Sequence, residues 1–233
     1  MKYIFEGTLF KNGKVQPFVV QHLTMEDLPS ILKVQDQVVA HLDGQKTLQP
    51  LTVEEFQFIL EGKGMMIGAF SNERLIAFRA LLVPIIDEEH LGIDIGLAES
   101  ELPKVIYQEI SNVLPEYRGN QLQKTLASLI MKELLKSDHG FRYVCCTVAP
   151  FNIPSLKDKF SQGMRIAALK EKYGGSLRYI FVMDLAETGE PEWKESLYIP
   201  MEDTVAQQSK LAEGWRGFRM EERDEELYVE YKR

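Results

Sequence analysis

The residues best placed to do chemistry lie in one run, Val113-Leu114-Pro115-Glu116-Tyr117-Arg118-Gly119-Asn120-Gln121-Leu122-Gln123-Lys124-Thr125. An apolar strand ends there, the chain turns at Pro115 to Gly119, and a long amphipathic segment starts. The first turn of a helix leaves backbone N–H groups without partners, and the helix dipole adds partial positive charge to them. A pyrophosphate can settle on such a turn. Gly119 permits a positive φ and a close backbone approach, and Arg118 adds a full positive charge.

Two common phosphate loops are excluded by spacing. A P-loop needs glycines where Arg118 and Gln123 stand, although Lys124-Thr125 matches its last two positions. The Gly-x-Gly-x-x-Gly pattern of a dinucleotide fold is absent.

Val113-Leu114-Pro115 followed by Arg118-Gly119-Asn120-Gln121-Leu122-Gln123 resembles the coenzyme A loop of the GNAT acetyltransferases, the general N-acetyltransferases, with spacing Arg/Gln-x-x-Gly-x-Gly/Ala. Gln121 and Gln123 stand where that family usually has glycine or alanine. Asn152-Ile153-Pro154-Ser155, then Gly163-Met164, resembles the family's Asn-x-x-Ser/Ala element followed by Gly-Phe. The resemblance covers about residues 17–185. It implies an α/β fold of GNAT type: a mixed central sheet with splayed central strands, flanked by helices, here followed by a C-terminal extension. It also implies acetyl-CoA as co-substrate, no metal, and transfer of an acetyl group to a primary amine. The cofactor-binding residues it points to are Val113, Arg118, Gly119, Asn120, Gln121, Leu122, Gln123, Lys124, Asn152 and Ser155.

An alkyl amine is protonated near neutral pH, so a base must take its proton. The oxyanion needs a fixed donor, and the leaving thiolate needs a proton. The family places the first two functions on the strand 107–113. Tyr107, Glu109, Ser111 and Val113 share one face of a regular strand. Glu109 is the expected base, directly or through water, with an apolar cleft raising its pKa. The alternative is a paired or edge-exposed carboxylate. The N–H of Ser111 or Val113 is expected at the thioester carbonyl and the pantetheine arm. Lys159 stands where relatives carry the tyrosine acid, leaving Tyr173, Tyr107 or solvent. Asn152 either bonds the pantetheine arm or caps the helix that follows, or does both, and Ser155 is similar.

Nothing else forms a constellation. His22, His41, His90 and His139 are scattered without metal spacing and read as surface or local structural residues. Cys145 and Cys146 read as small apolar fillers in a core strand, Phe160 as core.

The elements that must position these groups are legible from period and punctuation. Tyr3–Phe10 and Val15–Leu23 flank Asn12-Gly13 as a hairpin. A helix follows, capped by Thr24 or, better, Asp27, which leaves Pro29 in its first turn. Thr52 and Glu55 make a capping box for a second helix. Met65–Phe70 and Leu75–Val83 form a second hairpin. Residues 84–104 are acidic and turn-like, either a solvated connection or a cleft wall that attracts a cation. Then come a strand over Val105–Val113, a helix over Gln121–Leu135 ended with Gly140 at C′, and a strand over Phe141–Val148. A short helix over Asn152–Gln162 and a hairpin of Met164–Lys170 with Leu177–Leu185 complete the main domain, residues 1–186. Residues 187–233 hold 13 acids, 7 bases and both tryptophans. They read as an acidic extension packed on the domain, with a helix over Thr204–Glu213 and a strand over Glu226–Lys232.

Composition narrows the classes. Of 233 residues, 45% are apolar, enough for a core, and the net charge of −8 disfavours nucleic acid as a partner. No apolar run approaches the roughly 18 residues of a membrane span, and the first residues do not read as a secretory signal. The expectation is a cytoplasmic N-acetyltransferase, monomer or homodimer, acting on a small-molecule or peptide amine, with the acid balance favouring a cationic acceptor. The competing class is a non-catalytic module that keeps the GNAT shape for coenzyme A or partner binding.

Overall fold

Asn12 and Gly13, both at positive φ, close the first hairpin, β1 (Phe5–Lys11) with β2 (Lys14–His22). In the computed structural model, which describes residues 3–42, 49–137, 140–189 and 192–233, the chain divides into two units. Met1–Val83 with Gln108–His139 make the first, and Pro84–Tyr107 with Gly140–Arg233 the second.

In the first unit β2 pairs antiparallel with β3 (Gly64–Ser71), and β3 with β4 (Arg74–Leu82). Helices α1 (Leu28–Val39) and α2 (Val53–Phe58) lie between β2 and β3 in sequence. Thr52 and Glu55 make the expected capping box, with reciprocal bonds of 3.2 and 2.7 Å. Ahead of α1, Asp27 holds the N-cap position as expected, with Pro29 in the first turn, but its side chain makes no cap bond into the helix. A 3-10 turn over Met25–Asp27 precedes the helix, Thr24 caps that turn, and Asp27 accepts from the Thr24 N–H at 2.9 Å. The core joins Ile31, Val34 and Val38 of α1 to Phe56, Ile67, Ile76 and Phe78, with Phe56 edge-on to Phe78. From Gln108 onward, β5 (Val105–Val113) belongs to this unit and leads into α4 (Leu122–Lys136), whose Leu122, Leu126, Leu129, Ile130 and Leu134 are buried. Helix α4 ends with Ser137 as its cap, so Gly140 is not its C′ residue. Asp138 and His139 lie outside the described residues.

In the second unit Val105–Tyr107 of β5 pairs in parallel with β6 (Tyr143–Val148), over Val105↔Tyr143, Ile106↔Val144 and Tyr107↔Cys145. The pairing ends there. The crossover-linked parallel pair makes the sheet mixed, because β6 then pairs antiparallel with β8 (Ser176–Asp184), and β8 with β7 (Arg165–Lys172). Helix α5 (Ile153–Ser161) joins β6 to β7.

The acidic run 84–104 is not a bare solvated connection. It contains α3 (Leu91–Asp94) and a 3-10 turn over Glu99–Lys104, with His90, Leu91 and Leu102 buried. Nor are its acids free to attract a cation at Glu89 and Asp94. Lys172 bonds Glu89 at 2.8 Å and Asp94 at 2.7 Å, and Lys170 reaches Asp94 at 3.0 Å.

Residues 187–233 build three strands and a helix. They are β9 (Ser196–Pro200), α6 (Thr204–Ala212), β10 (Arg216–Arg223) and β11 (Glu226–Lys232). Strand β10 joins β7 through Gly217↔Ile166, and β11 lies between β10 and β9. Gln207 of α6 is fully buried. It accepts from the hydroxyls of Tyr179 and Tyr231, both at 2.7 Å, and donates to the carbonyls of Pro200 and Met201. Among the described residues no helix is long and apolar enough to cross a membrane.

Candidate functional site

In the first unit the run singled out by sequence is a strand, a 3-10 turn over Pro115–Tyr117 and a helix. Leu114 N–H bonds Ile76 O at 3.0 Å and Tyr117 is buried, which fixes both ends of the turn. Arg118 is extended and exposed. Gly119 has φ +82° with open space around its α-carbon, so this position needs glycine for its backbone and not for room. Gln121 is left-handed at φ 56°, ψ 18°, a conformation that costs a non-glycine residue about 1–2 kcal/mol.

The N-terminus of α4 is bare. Its cap residue Gln121 makes no side-chain cap bond, and the first turn carries no acid. The first intrahelical bond is Thr125 N–H to Gln121 O, so the amides of Leu122, Gln123 and Lys124 have no intrahelical partner. Helices α2, α5 and α6, by contrast, are capped by Thr52, Asn152 and Asp203. Gln121 and Lys124 are exposed, Gln123 is half-buried, and Leu122 is packed in the core. The side chain of Asn120 is occupied: its Oδ1 accepts from Phe10 N–H, and its Nδ2 donates to Phe10 O and Tyr117 O. What Asn120 offers a ligand is backbone.

Glu109, Ser111 and Val113 share the half-buried face of β5, as the alternation requires. Burial, assisted by the negative charge of Glu55, pushes the Glu109 carboxyl up to about 7. Among the described residues Glu109 has no ion pair, and the buried Ser111 hydroxyl has no hydrogen-bond partner. A carboxyl held near neutrality can take a proton at physiological pH and give it up again. The opposite face of β5 carries two polar residues that sequence reading passed over. Gln108 accepts from Arg79 at 2.6 Å in a buried pair, and Asn112 is buried with neither side-chain polar atom bonded. Alternation flags both as inward-facing amides, but not what they meet.

In the second unit Asn152 caps α5, its Oδ1 accepting from Ser155 N–H at 3.2 Å. The capping alternative for Asn152 therefore holds. Tyr173 sits in the β7–β8 turn at φ 54°, 55% exposed, its hydroxyl 3.0 Å from Thr147 Oγ1 on β6. Tyr107, the other candidate acid, is committed elsewhere, since its oxygen accepts from Leu91 N–H at 2.6 Å. Lys159 is buried 3.7 Å from Asp158, and the half-buried Phe160 meets the core residue Phe181 edge-on.

Of the remaining candidates, His139 lies outside the described residues. His22 lies 3.1 Å from Glu133, and His41 bonds Gln37 O. His90 caps α3 through Gly92 N–H, and burial lowers its pKa. Cys145 and Cys146 are buried and form no disulfide, Cys146 Sγ lies 3.9 Å from Met164 Sδ, and burial pushes the Cys145 thiol well up. No group of metal-ligating side chains forms among the described residues.

No protein-family model and no curated protein sequence matches the chain. Solved structures do. The ribosomal-protein-S18-alanine N-acetyltransferase of Escherichia coli is 16% identical at a TM-score of 0.54, over 76% of this chain and 99% of that one. Salmonella typhimurium yncA with its cofactor acetyl-CoA is 14% identical at 0.55, over 75% and 98%. The GNAT domain of S. lividans PAT is 17% identical at 0.53, over 77% and 97%. At such identities the likeness speaks for architecture, and it agrees with the strand–turn–helix run and the truncated β5–β6 pairing: the chain has the fold of the GNAT acetyltransferases.

Proposed function

We propose that the protein is an N-acetyltransferase that uses acetyl-CoA to acetylate a primary amine. The observation that carries this reading is the N-terminus of α4, entered through Arg118-Gly119, where the cap residue Gln121 makes no side-chain cap bond and the first turn carries no acid. That is what a pyrophosphate requires.

Acetyl-CoA supplies the activated acetyl group. The amides of Leu122, Gln123 and Lys124 are assigned to its pyrophosphate, with Arg118 and Lys124 adding charge, and with the backbone of Gly119, Asn120 and Gln121 shaping the approach. The N–H groups of Ser111 and Val113 are assigned to the acyl carbonyl and the pantetheine arm, and Asn152 and Ser155 to the same arm. Glu109 takes the proton from the attacking amine as the C–N bond forms and the C–S bond breaks. Tyr173 or water returns a proton to the thiolate, which is stable enough, with a pKa of about 8.5, to leave without an acid.

The acceptor is a small-molecule or peptide amine. Support for a cationic acceptor now rests on the net charge of −8, since Glu89 and Asp94 are neutralised by the protein's own lysines. In this reading residues 1–186 are the catalytic domain and 187–233 its extension, and the chain works in the cytoplasm as a monomer or homodimer. A non-catalytic coenzyme A-binding module is favoured by Gln121, Gln123 and the buried Lys159. Calorimetric titration with acetyl-CoA, followed by thiol release with a panel of amines, separates the two. Binding with turnover supports the enzyme, and binding without turnover across a broad panel supports the module. No heat at millimolar acetyl-CoA removes both.

A further inference from the structure

The second unit contains a hollow of about 390 Å³ that touches none of the residues assigned above. Three arginines, Arg142, Arg165 and Arg216, line it together with two carboxylates, Asp184 and Glu187. Two of the arginines are matched. Arg142 bonds both oxygens of Asp184, at 3.0 and 3.2 Å from Nε and 2.8 Å from Nη2. Arg165 lies 2.7 Å from Glu187, with its guanidinium over the rings of Trp193 and Phe218.

Arg216 has no such partner. Among the described residues its only hydrogen bond is to the carbonyl of its neighbour Trp215, at 3.0 Å, and it forms no ion pair with a carboxylate. It is half-buried, and both burial and the Arg165 charge disfavour its cationic form. A guanidinium stripped of water beside a like charge is an electrostatic deficit that an anion would relieve.

Size and lining say which anion. Small-molecule sites are hollows of about 300–1,000 Å³, mostly apolar, with a few convergent polar groups. Ile95, Leu97 and Val182 give this one apolar walls. With Arg142 and Arg165 already matched, one positive charge is left over. That suits a monoanion better than a phosphate dianion, and the guanidinium fork fits a carboxylate in two-point geometry.

We propose that this hollow binds a small organic carboxylate, its carboxylate on Arg216 and its carbon skeleton against Ile95, Leu97 and Val182. The site stands apart from the acetyl-transfer residues of its own unit. Tyr143 opens β6 at the hollow, and Asn152 follows the far end of the same strand, so roughly 17 Å of extended backbone separates the two ends. A ligand here acts as an effector or second ligand and not as the acetyl donor.

The test titrates the full chain with hexanoate, with hexanol and inorganic phosphate as controls, by protein-observed NMR, with and without acetyl-CoA. Hexanoate is expected to saturate in the millimolar range without displacing acetyl-CoA, and hexanol to bind about tenfold more weakly or worse. Arg216→Met is expected to weaken hexanoate by about tenfold or more while acetyl-CoA binding stays as in the parent. Should Arg216→Met not fold, Ala186→Trp, which fills the exposed rim and keeps all three arginines, must abolish hexanoate binding instead. The proposal is overturned by any of four results: hexanoate that never saturates, hexanol that binds as well, phosphate that binds in its place, or variants that bind hexanoate like the parent. None of these bears on whether acetyl-CoA binds, so the two readings fail separately.

Discussion

Asn120 grips the backbone of Phe10 from both sides, accepting its N–H at 2.7 Å and donating to its carbonyl at 3.0 Å. One side chain thus imitates a strand neighbour for the edge of β1 and ties that hairpin to the turn that opens α4. Asn120→Ala removes three hydrogen bonds, and we expect a loss of about 1–2 kcal/mol in urea unfolding. Acetyl-CoA affinity should fall by several-fold as the turn loosens. An unchanged affinity would mean that the turn holds its shape without β1.

Glu109 gives a prediction in pH. The folded protein keeps this proton to about pH 7, whereas the unfolded chain releases it near the ordinary glutamate value of 4.5. Stability should therefore fall as pH rises through that interval, by at most about 3 kcal/mol. Glu109→Gln should abolish that fall and be the more stable protein at pH 8. In the same variant kcat/KM should drop by about 10²-fold or more, and the rise of activity through neutral pH should vanish. A parent-like pH profile in Glu109→Gln would sink the base assignment.

Two neighbouring left-handed residues should respond in opposite senses. Gly119 at φ +82° sits in open space, so Gly119→Ala should cost about 1 kcal/mol through its backbone alone. Gln121 occupies the same region with a side chain, so Gln121→Gly should gain up to about 1 kcal/mol. Denaturant midpoints of the two variants check the pair. The second variant also puts a small residue where the loop it resembles has one, and its acetyl-CoA affinity should equal or exceed that of the parent.

Gln207 is the polar rivet of the C-terminal segment. Gln207→Leu would strand the hydroxyls of Tyr179 and Tyr231 and two carbonyls, with a cost of about 2–4 kcal/mol in chemical unfolding. Burial holds the Tyr179 hydroxyl up at about 12 and raises that of Tyr231 as well, so neither phenol can escape the deficit by ionising.

What the sequence made legible is what short-range rules encode. The β5–turn–α4 run, the Thr52/Glu55 capping box and the Asn12-Gly13 hairpin are each written within a few residues. Strands β9 and β10 were not legible. Strand β10, Arg216–Arg223, is mostly charged and half-exposed, and its hairpin turns at Asp224-Glu225, both at positive φ without a glycine to mark them. The order in 84–104 escaped for a related reason, since Lys172 and Lys170, which hold Glu89 and Asp94, come some 80 residues later. Within the candidate site, the alternation of β5 placed Glu109 and Ser111 on one face. The occupation of Asn120 by Phe10, 110 residues away, leaves no local trace in the sequence.

Both cysteines are sealed inside β6 and its surroundings, at 0% and 3% exposure. In the native protein neither should colour Ellman's reagent on the timescale of an assay. Every equivalent of sulfhydryl that appears during turnover would then come from the spent carrier, and the protein would contribute no background. Any slow residual colour would clock the transient opening of that strand.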